Sequence, residues 1–303
     1  MRIVFNLYDV GLGNNGGSRT LIKCAENLSL IGHDVVLFTN VPNRYTWSGI
    51  TGPELIVGNK HPKGDVVIAT GYKSVKNTLK SSIQNKFYYI RGYETWVTKS
   101  VNLMRSYKSL RCIVNSEWLS RFLRKKGVYS DLVYPGLDDS FWDKGKEREN
   151  VFGAIHHKKH KTKRHDDAFG VSKLSKYPVL MLNKDIKSPS ERKLNRWYNR
   201  MKVWMSPSEL EGLHNPPMEA GMAGCALVCT DHKKSGTSDY AIHGETALVY
   251  SARDLAQAAK CVKSLMVDDA LRDRLSSGLQ GLLKSKIGTR KENMERMAFI
   301  LSR

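Results

Sequence analysis

The sequence predicts an α/β protein of two Rossmann-like domains facing a central cleft. Three observations carry that prediction. Short runs rich in Val, Ile and Phe alternate with stretches whose apolar residues recur at helical spacing, the pattern of parallel strands covered by helices. The alternation stops at Pro135-Gly136 and a polar stretch, 138–150, and then restarts. The chain has 303 residues, 41% of them hydrophobic, which is long for one ordinary domain and enough for two cores.

The elements follow in order. Residues 2–7 (Arg-Ile-Val-Phe-Asn-Leu) read as a buried strand and 8–17 as a loop rich in Gly and Asn. Ser18 suits a helix N-cap. Leu21, Ile22, Ala25 and Leu28 then recur at helical spacing until Gly32 stops the helix. Strands are expected at 35–38, 65–70, 87–90, 111–115 and 132–134, with a helix through Trp118, Leu119, Phe122 and Leu123. The polar stretch 138–150 reads as an interdomain linker. Beyond it, strands are expected at 151–155, 179–182, 203–206, 226–230 and 247–250. A helix starts at Pro216 or Pro217, and 255–266, 270–283 and 291–301 read as helices. The expected division is 1–140 and 141–287, with the helix about 288–303 free to pack back on the first domain.

Composition excludes several classes. No run of eighteen apolar residues suits a transmembrane helix, and the start of the chain lacks the apolar core and cleavage site of a signal peptide. Five scattered cysteines read as reduced, buried thiols, not as a disulfide framework or a zinc set. A cytoplasmic protein, free or peripheral at a membrane surface, is the expectation. The charge says more: 49 Lys and Arg against 29 Asp and Glu give +20. From Lys73 to Lys126 there are thirteen basic residues and two acidic ones, Glu94 and Glu117, whereas 201–250 carries three basic and six acidic. Such a field concentrates anionic partners: nucleotide phosphates, lipid headgroups, polyanionic glycans or nucleic acid.

The chemistry concentrates between Ser206 and Thr230. A strand ends in a small-residue loop, and a helix begins at two prolines. A helix start offers free N–H groups and the positive end of a dipole, a seat for a diphosphate. Glu211 precedes it and Glu219 lies inside the helix. A carboxylate accepts from two hydroxyls at once, which suits vicinal hydroxyls of a ribose or hexose.

Pro207-Ser208, Glu211-Gly212, Glu219-Ala220 and Gly224 before a strand resemble the donor site of the group 1 glycosyltransferases, retaining enzymes of GT-B fold. Gly11 to Gly17, Val114 to Leu119, Tyr134 to Asp138, Gly236 to Tyr240 and Gly244 to Val249 match further segments of that family, so the resemblance covers nearly the whole chain. It implies that 1–140 is the acceptor side and 141–287 the nucleotide-sugar side. It implies that Glu219 binds the ribose and Glu211 the transferred sugar, with Gly212, Leu213, His214, Asn215 and Pro216 lining sugar and phosphate. Gly16 and Gly17 would approach the donor phosphate from the first domain.

Two departures from the family pattern matter. The family's diphosphate-gripping Arg and Lys are replaced by a basic run, 156–164, in which Lys161 is the first choice and Lys163 the second, a solvated basic loop being the competing reading. The position of the family's first-domain His matches Arg91, placed to assist the leaving phosphate or the acceptor, or else simply a surface arginine. Asp138-Asp139 and Asp166-Asp167 read as solvated carboxylates, so no metal site and no cofactor beyond the nucleotide sugar is expected. The activity implied is metal-independent hexosyl or pentosyl transfer with retention to an anionic acceptor. That acceptor would be a lipid-linked or polysaccharide intermediate, or hydroxymethylated DNA. A nucleotide-sugar epimerase of the same fold and a non-catalytic nucleic-acid-binding protein are the competing classes. Leu103, Met104, Tyr107 and Leu110, interleaved with Arg105 and Lys108, make either a core helix or an interfacial one.

Overall fold

The computed structural model describes residues 1–156, 161–183 and 190–303, with Lys161 described by its backbone alone. The chain falls into two compact units, Met1–Gly136 with Thr289–Arg303, and Leu137–Gly288.

The first unit is a seven-stranded sheet of β1 (Arg2–Asn6), β2 (Asp34–Thr39), β3 (Glu54–Val57), β4 (Val66–Ala69), β5 (Asn85–Ile90), β6 (Arg111–Val114) and β7 (Ser130–Leu132). Its order is β3-β2-β1-β4-β5-β6-β7 and every pairing is parallel. Ile3, Val4 and Phe5 are fully buried because β1 is central and covered on both faces, which is why it reads as an unbroken apolar run. The helices are α1 (Gly16–Leu30), α2 (Tyr72–Lys80), α3 (Ser100–Lys108) and α4 (Glu117–Arg124). Asn15, not Ser18, caps α1: its side chain accepts from the Ser18 N–H at 2.9 Å, and the Ser18 hydroxyl instead accepts from Gly13 N–H. The strand expected at 132–134 starts earlier, at Ser130, and Val133 keeps one bond to Val114 as the chain leaves the sheet.

The second unit has β8 (Glu149–His156), β9 (Val179–Asn183), β10 (Met201–Ser206), β11 (Ala226–Thr230) and β12 (Leu248–Tyr250), in the parallel order β12-β11-β10-β8-β9. Its helices are α5 (Asp167–Ser175), α6 (Glu191–Tyr198), α7 (Asn215–Met222), α8 (Leu255–Val267) and α9 (Asp269–Leu282). A π turn, Leu283–Ile287, follows α9. The stretch expected to be a linker is instead strapped to this unit. Phe141 is buried, Trp142 N–H donates to Asn195, and Lys144 N–H donates to Asn199. Arg148 donates to the carbonyls of Tyr198, Met201 and Ala223 and pairs with Asp143. A guanidinium surrounded by carbonyl acceptors does not behave as a solvated linker residue. The first unit therefore closes at Gly136, short of the expected 140.

The last helix, α10 (Arg290–Leu301), belongs to the first unit. Thr289 and Glu292 form a capping box at its start, and Met294, Met297 and Leu301 pack with Leu21, Ile22, Ala25 and Leu28 of α1. Gly136 makes its approach possible: at φ 75° a Cβ there would fall 2.3 Å from the Arg290 Cα.

Both sheets are doubly wound, and each reverses its strand order once. The reversal lies between β1 and β4 in the first sheet and between β8 and β10 in the second. Neighbouring crossovers leave on opposite faces there, so a crevice opens at the carboxyl ends of those strands.

Arg148→Ala leaves three carbonyls without that donor. The expected loss is about 1–3 kcal/mol of unfolding free energy by urea titration, and an unchanged midpoint would mean the strap contributes nothing.

Candidate active site

The site of the second unit grows from the end of β10. Ser206 closes the strand, and the loop 207–214 leads into α7, whose first turn carries Pro216 and Pro217. Proline suits that turn because its missing N–H would have no helical partner. The loop is pinned on both sides. Glu209 N–H donates to Thr162 O at 2.9 Å, and Glu211 N–H to Lys234 O at 3.1 Å. Gly236 lies directly under it: a Cβ there would fall 2.0 Å from the Gly212 carbonyl oxygen and 2.4 Å from the Leu213 Cα.

His214 holds the turn. Its φ of 65° is in the left-handed region, an unfavourable place for a side chain other than Gly or Asn. Three contacts keep it there. Its Nδ1 lies 3.0 Å from Ser206 Oγ, its carbonyl accepts from Tyr240 OH at 2.8 Å, and its Nε2 lies 3.4 Å from Glu211 Oε1.

Glu211 is the electrostatic centre. Its side chain is 9% exposed, and Lys163, from the turn Lys161–Lys163 that follows β8, donates to its Oε1. Burial works to raise the carboxyl pKa. His214, Lys163 and Ser208 outweigh it and leave the pKa at about 2. The carboxylate thus stays ionised at neutral pH in a place where water is scarce. Glu219 lies on α7, past its first turn, and its Oε2 accepts from Tyr198 OH at 3.0 Å, Tyr198 being fully buried at the end of α6.

Of the residues singled out from sequence, the structure gathers Lys163, Glu211 and His214 into one cluster. Gly212, Asn215 and Pro216 stand on the loop and helix start beside it, with Glu219 further along the same helix. Leu213 is 1% exposed as a whole residue, so it anchors the loop in the core. The side chain of Lys161 lies outside the described residues, as do 157–160. Asp167 is a correction: it is buried and takes two bonds of 2.8 Å from Arg164, so it is not a solvated carboxylate.

In the first unit, Gly16, Gly17 and Arg91 meet at that sheet's own reversal point. Gly16 opens α1 with open space where a Cβ would stand. Arg91 follows β5 and donates to the carbonyls of Gly17 and Thr70, tying the start of α1 to the end of β4. Burial lowers the pKa of its guanidinium, while Tyr89 and Glu94 oppose that shift. It is a clamp between two loops more than a surface arginine.

Sequence reading missed Tyr198, and it placed Ser206, Ser208 and Tyr240 in the quoted segments without giving their side chains a role. Tyr198 lies 21 positions from the glutamate it holds, and no local spacing announces such a contact. Gly236 fell inside a matched segment, but its reason, the backbone of 212–213 above it, is a tertiary one.

The two doubly wound units give the chain the GT-B fold class. The family model that matches it is Glycosyl transferases group 1, over residues 171–268. Over 116 residues the chain is 24% identical to the capsular polysaccharide biosynthesis glycosyltransferase CapM of Staphylococcus aureus, covering 38% of this chain and 29% of that one. HepE of Anabaena, crystallised with UDP and glucose, superposes with a TM-score of 0.79 at 12% identity, covering 100% of this chain and 99% of HepE. S. aureus TarM, crystallised as a point mutant with fondaparinux, α-GlcNAc-glycerol and UDP, gives a TM-score of 0.66 at 14% identity. That match covers 78% of this chain and 55% of TarM, so the chain spans only part of the length of both S. aureus relatives.

The Glu211 charge cluster makes a pH prediction. The folded pKa is depressed from 4.5 to about 2, so the stabilisation is complete above about pH 4.5 and lost as pH falls toward 2. Its size is at most roughly 3 kcal/mol. The stability gap between wild type and Glu211→Gln, measured by urea unfolding from pH 7 to pH 3, should narrow below about pH 4.5. A gap that stays constant would refute the assignment.

Proposed function

We propose that this chain is a retaining, metal-independent glycosyltransferase that moves a sugar from a nucleoside-diphosphate sugar to an acceptor hydroxyl. The observation that carries this reading is an ionised Glu211 held between Lys163 and His214 at the start of α7, with Glu219 on that same helix. The N–H groups at the helix start and Lys163 meet the negative charge that builds on the departing diphosphate. Glu219 accepts from the ribose hydroxyls, with Tyr198 fixing its rotamer. Glu211 accepts from hydroxyls of the transferred sugar. A carboxylate with a low pKa is a steady acceptor and a poor acid, which suits binding and charge stabilisation more than proton donation. Within the first unit, Arg91 holds Gly17 and its loop in place. The acceptor hydroxyl attacks the face from which the diphosphate leaves, so configuration at the anomeric carbon is retained.

HepE with UDP and glucose, and TarM with UDP, support a nucleotide sugar as donor. CapM, named for capsular polysaccharide biosynthesis, supports a glycan or lipid-linked acceptor over hydroxymethylated DNA. The basic run from Lys73 to Lys126 makes that acceptor anionic in this reading.

Thermal unfolding with UDP, GDP, ADP, CDP and dTDP tests the donor site. One nucleotide should raise the melting temperature of wild type and fail with Glu219→Ala, a ligand at about 100 times its Kd adding about 2.7 kcal/mol. With the matching sugar donor, Glu211→Gln should lower kcat by roughly 10²-fold or more. Donor turned over equally fast without acceptor would point to the epimerase. No stabilisation by any nucleotide, with tight DNA binding, would point to the nucleic-acid-binding protein.

A further inference from the structure

Of the two readings given above for α3, core helix or interfacial one, its apolar residues Leu103 and Tyr107 follow the core reading. Leu103 and Tyr107 of α3 are 0% and 1% exposed and face the core. The exposed apolar residues are others. Trp96 is 62% exposed, Val97 38% and Val101 62%, on the turn before α3 and its first residues. Val101, Arg105 and Lys108 stand at i, i+4 and i+7, so they share the outward stripe of α3. All three are exposed.

The neighbouring helix repeats the pattern. α2 packs beside α3, and its Lys73, Lys76 and Lys80, at i, i+3 and i+7, are all exposed. Leu79 is 44% exposed next to them. The acidic residue of this region, Glu94, is turned inward: it accepts from Tyr88 OH and from Tyr72 N–H at the start of α2. Two adjacent helices thus present lysine and arginine stripes unopposed by carboxylate within 73–116, with a Trp–Val–Val tip standing out of them.

We propose that this face of the first unit docks on an anionic lipid surface, with Trp96, Val97 and Val101 entering the interface. The basic stripes supply attraction to the headgroups, and the apolar tip supplies what attraction alone does not. Two weak signals combine to give stable attachment. Trp is suited to the headgroup level because its ring is amphipathic. The apolar tip also decides between partners. A duplex or a soluble polyanion would be met by the lysines and arginines alone, and Val97 and Val101 would find nothing to bury against. The proposal deepens the reading above by placing the acceptor side of the protein at the membrane, and it rests on that reading only for the acceptor's identity.

The test is cosedimentation of the full chain with vesicles of phosphatidylcholine alone, and with about 30 mol% phosphatidylglycerol added to model an anionic leaflet. Wild type should bind the anionic vesicles and not the neutral ones. Lys76→Glu with Arg105→Glu should lower the partition coefficient by about 25-fold or more, each lost cation counting about fivefold. Trp96→Ser with Val101→Ser should lower it by about tenfold while leaving heparin and DNA binding as in wild type. Melting temperature, and stabilisation by whichever nucleotide wild type binds, are followed in each variant. Both should stay unchanged, which separates failure of the docking face from failure of the donor site. Equal binding by wild type and the Trp96–Val101 variant would overturn the proposal. So would wild type binding heparin or DNA but not anionic vesicles.

Discussion

A parallel sheet cannot return its chain by a hairpin, so each strand is followed by a crossover. All the strand ends of one kind then lie along one edge. In both units of this protein that constraint decides where chemistry can happen. The sheets reverse direction between β1 and β4 and between β8 and β10, and the chain has put its unusual residues there. The loop after β8 delivers Lys163, the loop after β10 delivers Glu211 and His214, and the helix that follows carries Glu219. In the other unit the loop after β1 delivers Gly16 and Gly17, and the residue after β5 delivers Arg91. Everything proposed about function starts from that edge.

The balance at Glu211 shows how such a site is kept. Taking a carboxylate out of water costs several kcal/mol, and a single partner rarely offsets it. Here a lysine, a histidine and a serine hydroxyl act together, and the carboxyl is depressed to about 2 in spite of burial. The histidine is itself held in a left-handed turn by Ser206 and Tyr240. Strain and charge are therefore coupled: loosening the turn would carry the histidine away from the glutamate. The five cysteines of the chain contribute nothing of this kind. All are buried, and burial pushes the thiols of Cys112, Cys225 and Cys229 up to about 12.

Much of the fold was legible. Central strands such as β1, β4, β10 and β11 are covered on both faces, and a covered strand has to be apolar throughout. The half-exposed edge strand β3 escaped notice because Glu-Leu-Ile-Val carries neither an unbroken run nor a full alternation. Helices α2 and α6 escaped because they are short and mostly polar outside, and α5 because its apolar residues are split between a buried face, Ala168 and Val171, and an exposed one, Phe169 and Leu174. The strap 138–148 misled for a related reason: apart from Phe141, its attachment is made by Arg148 and by main-chain N–H groups, and neither looks apolar. In the site, Glu211 and Glu219 were legible because strand, loop and helix start are local features. The meeting of Lys163 with Glu211 was not, since the two lie 48 positions apart on loops that follow different strands.

By itself, the sequence determined the alternation of strands and helices, the two-sheet architecture, the strand–loop–helix start that carries Glu211 and Glu219, and the concentration of positive charge in the first unit. Those are properties of spacing and composition, and neighbours within a few residues are enough to set them. Tertiary structure decided that Lys163 meets Glu211, that Tyr198 braces Glu219, that Arg91 clamps Gly17 to Thr70, and that α10 returns to α1. It also decided that α3 hides Leu103 and Tyr107 and shows Val101, Arg105 and Lys108. The physical reason is the same in each case: the partner comes from another element, and only packing of the whole sheet determines which face of a helix or loop is left to meet it.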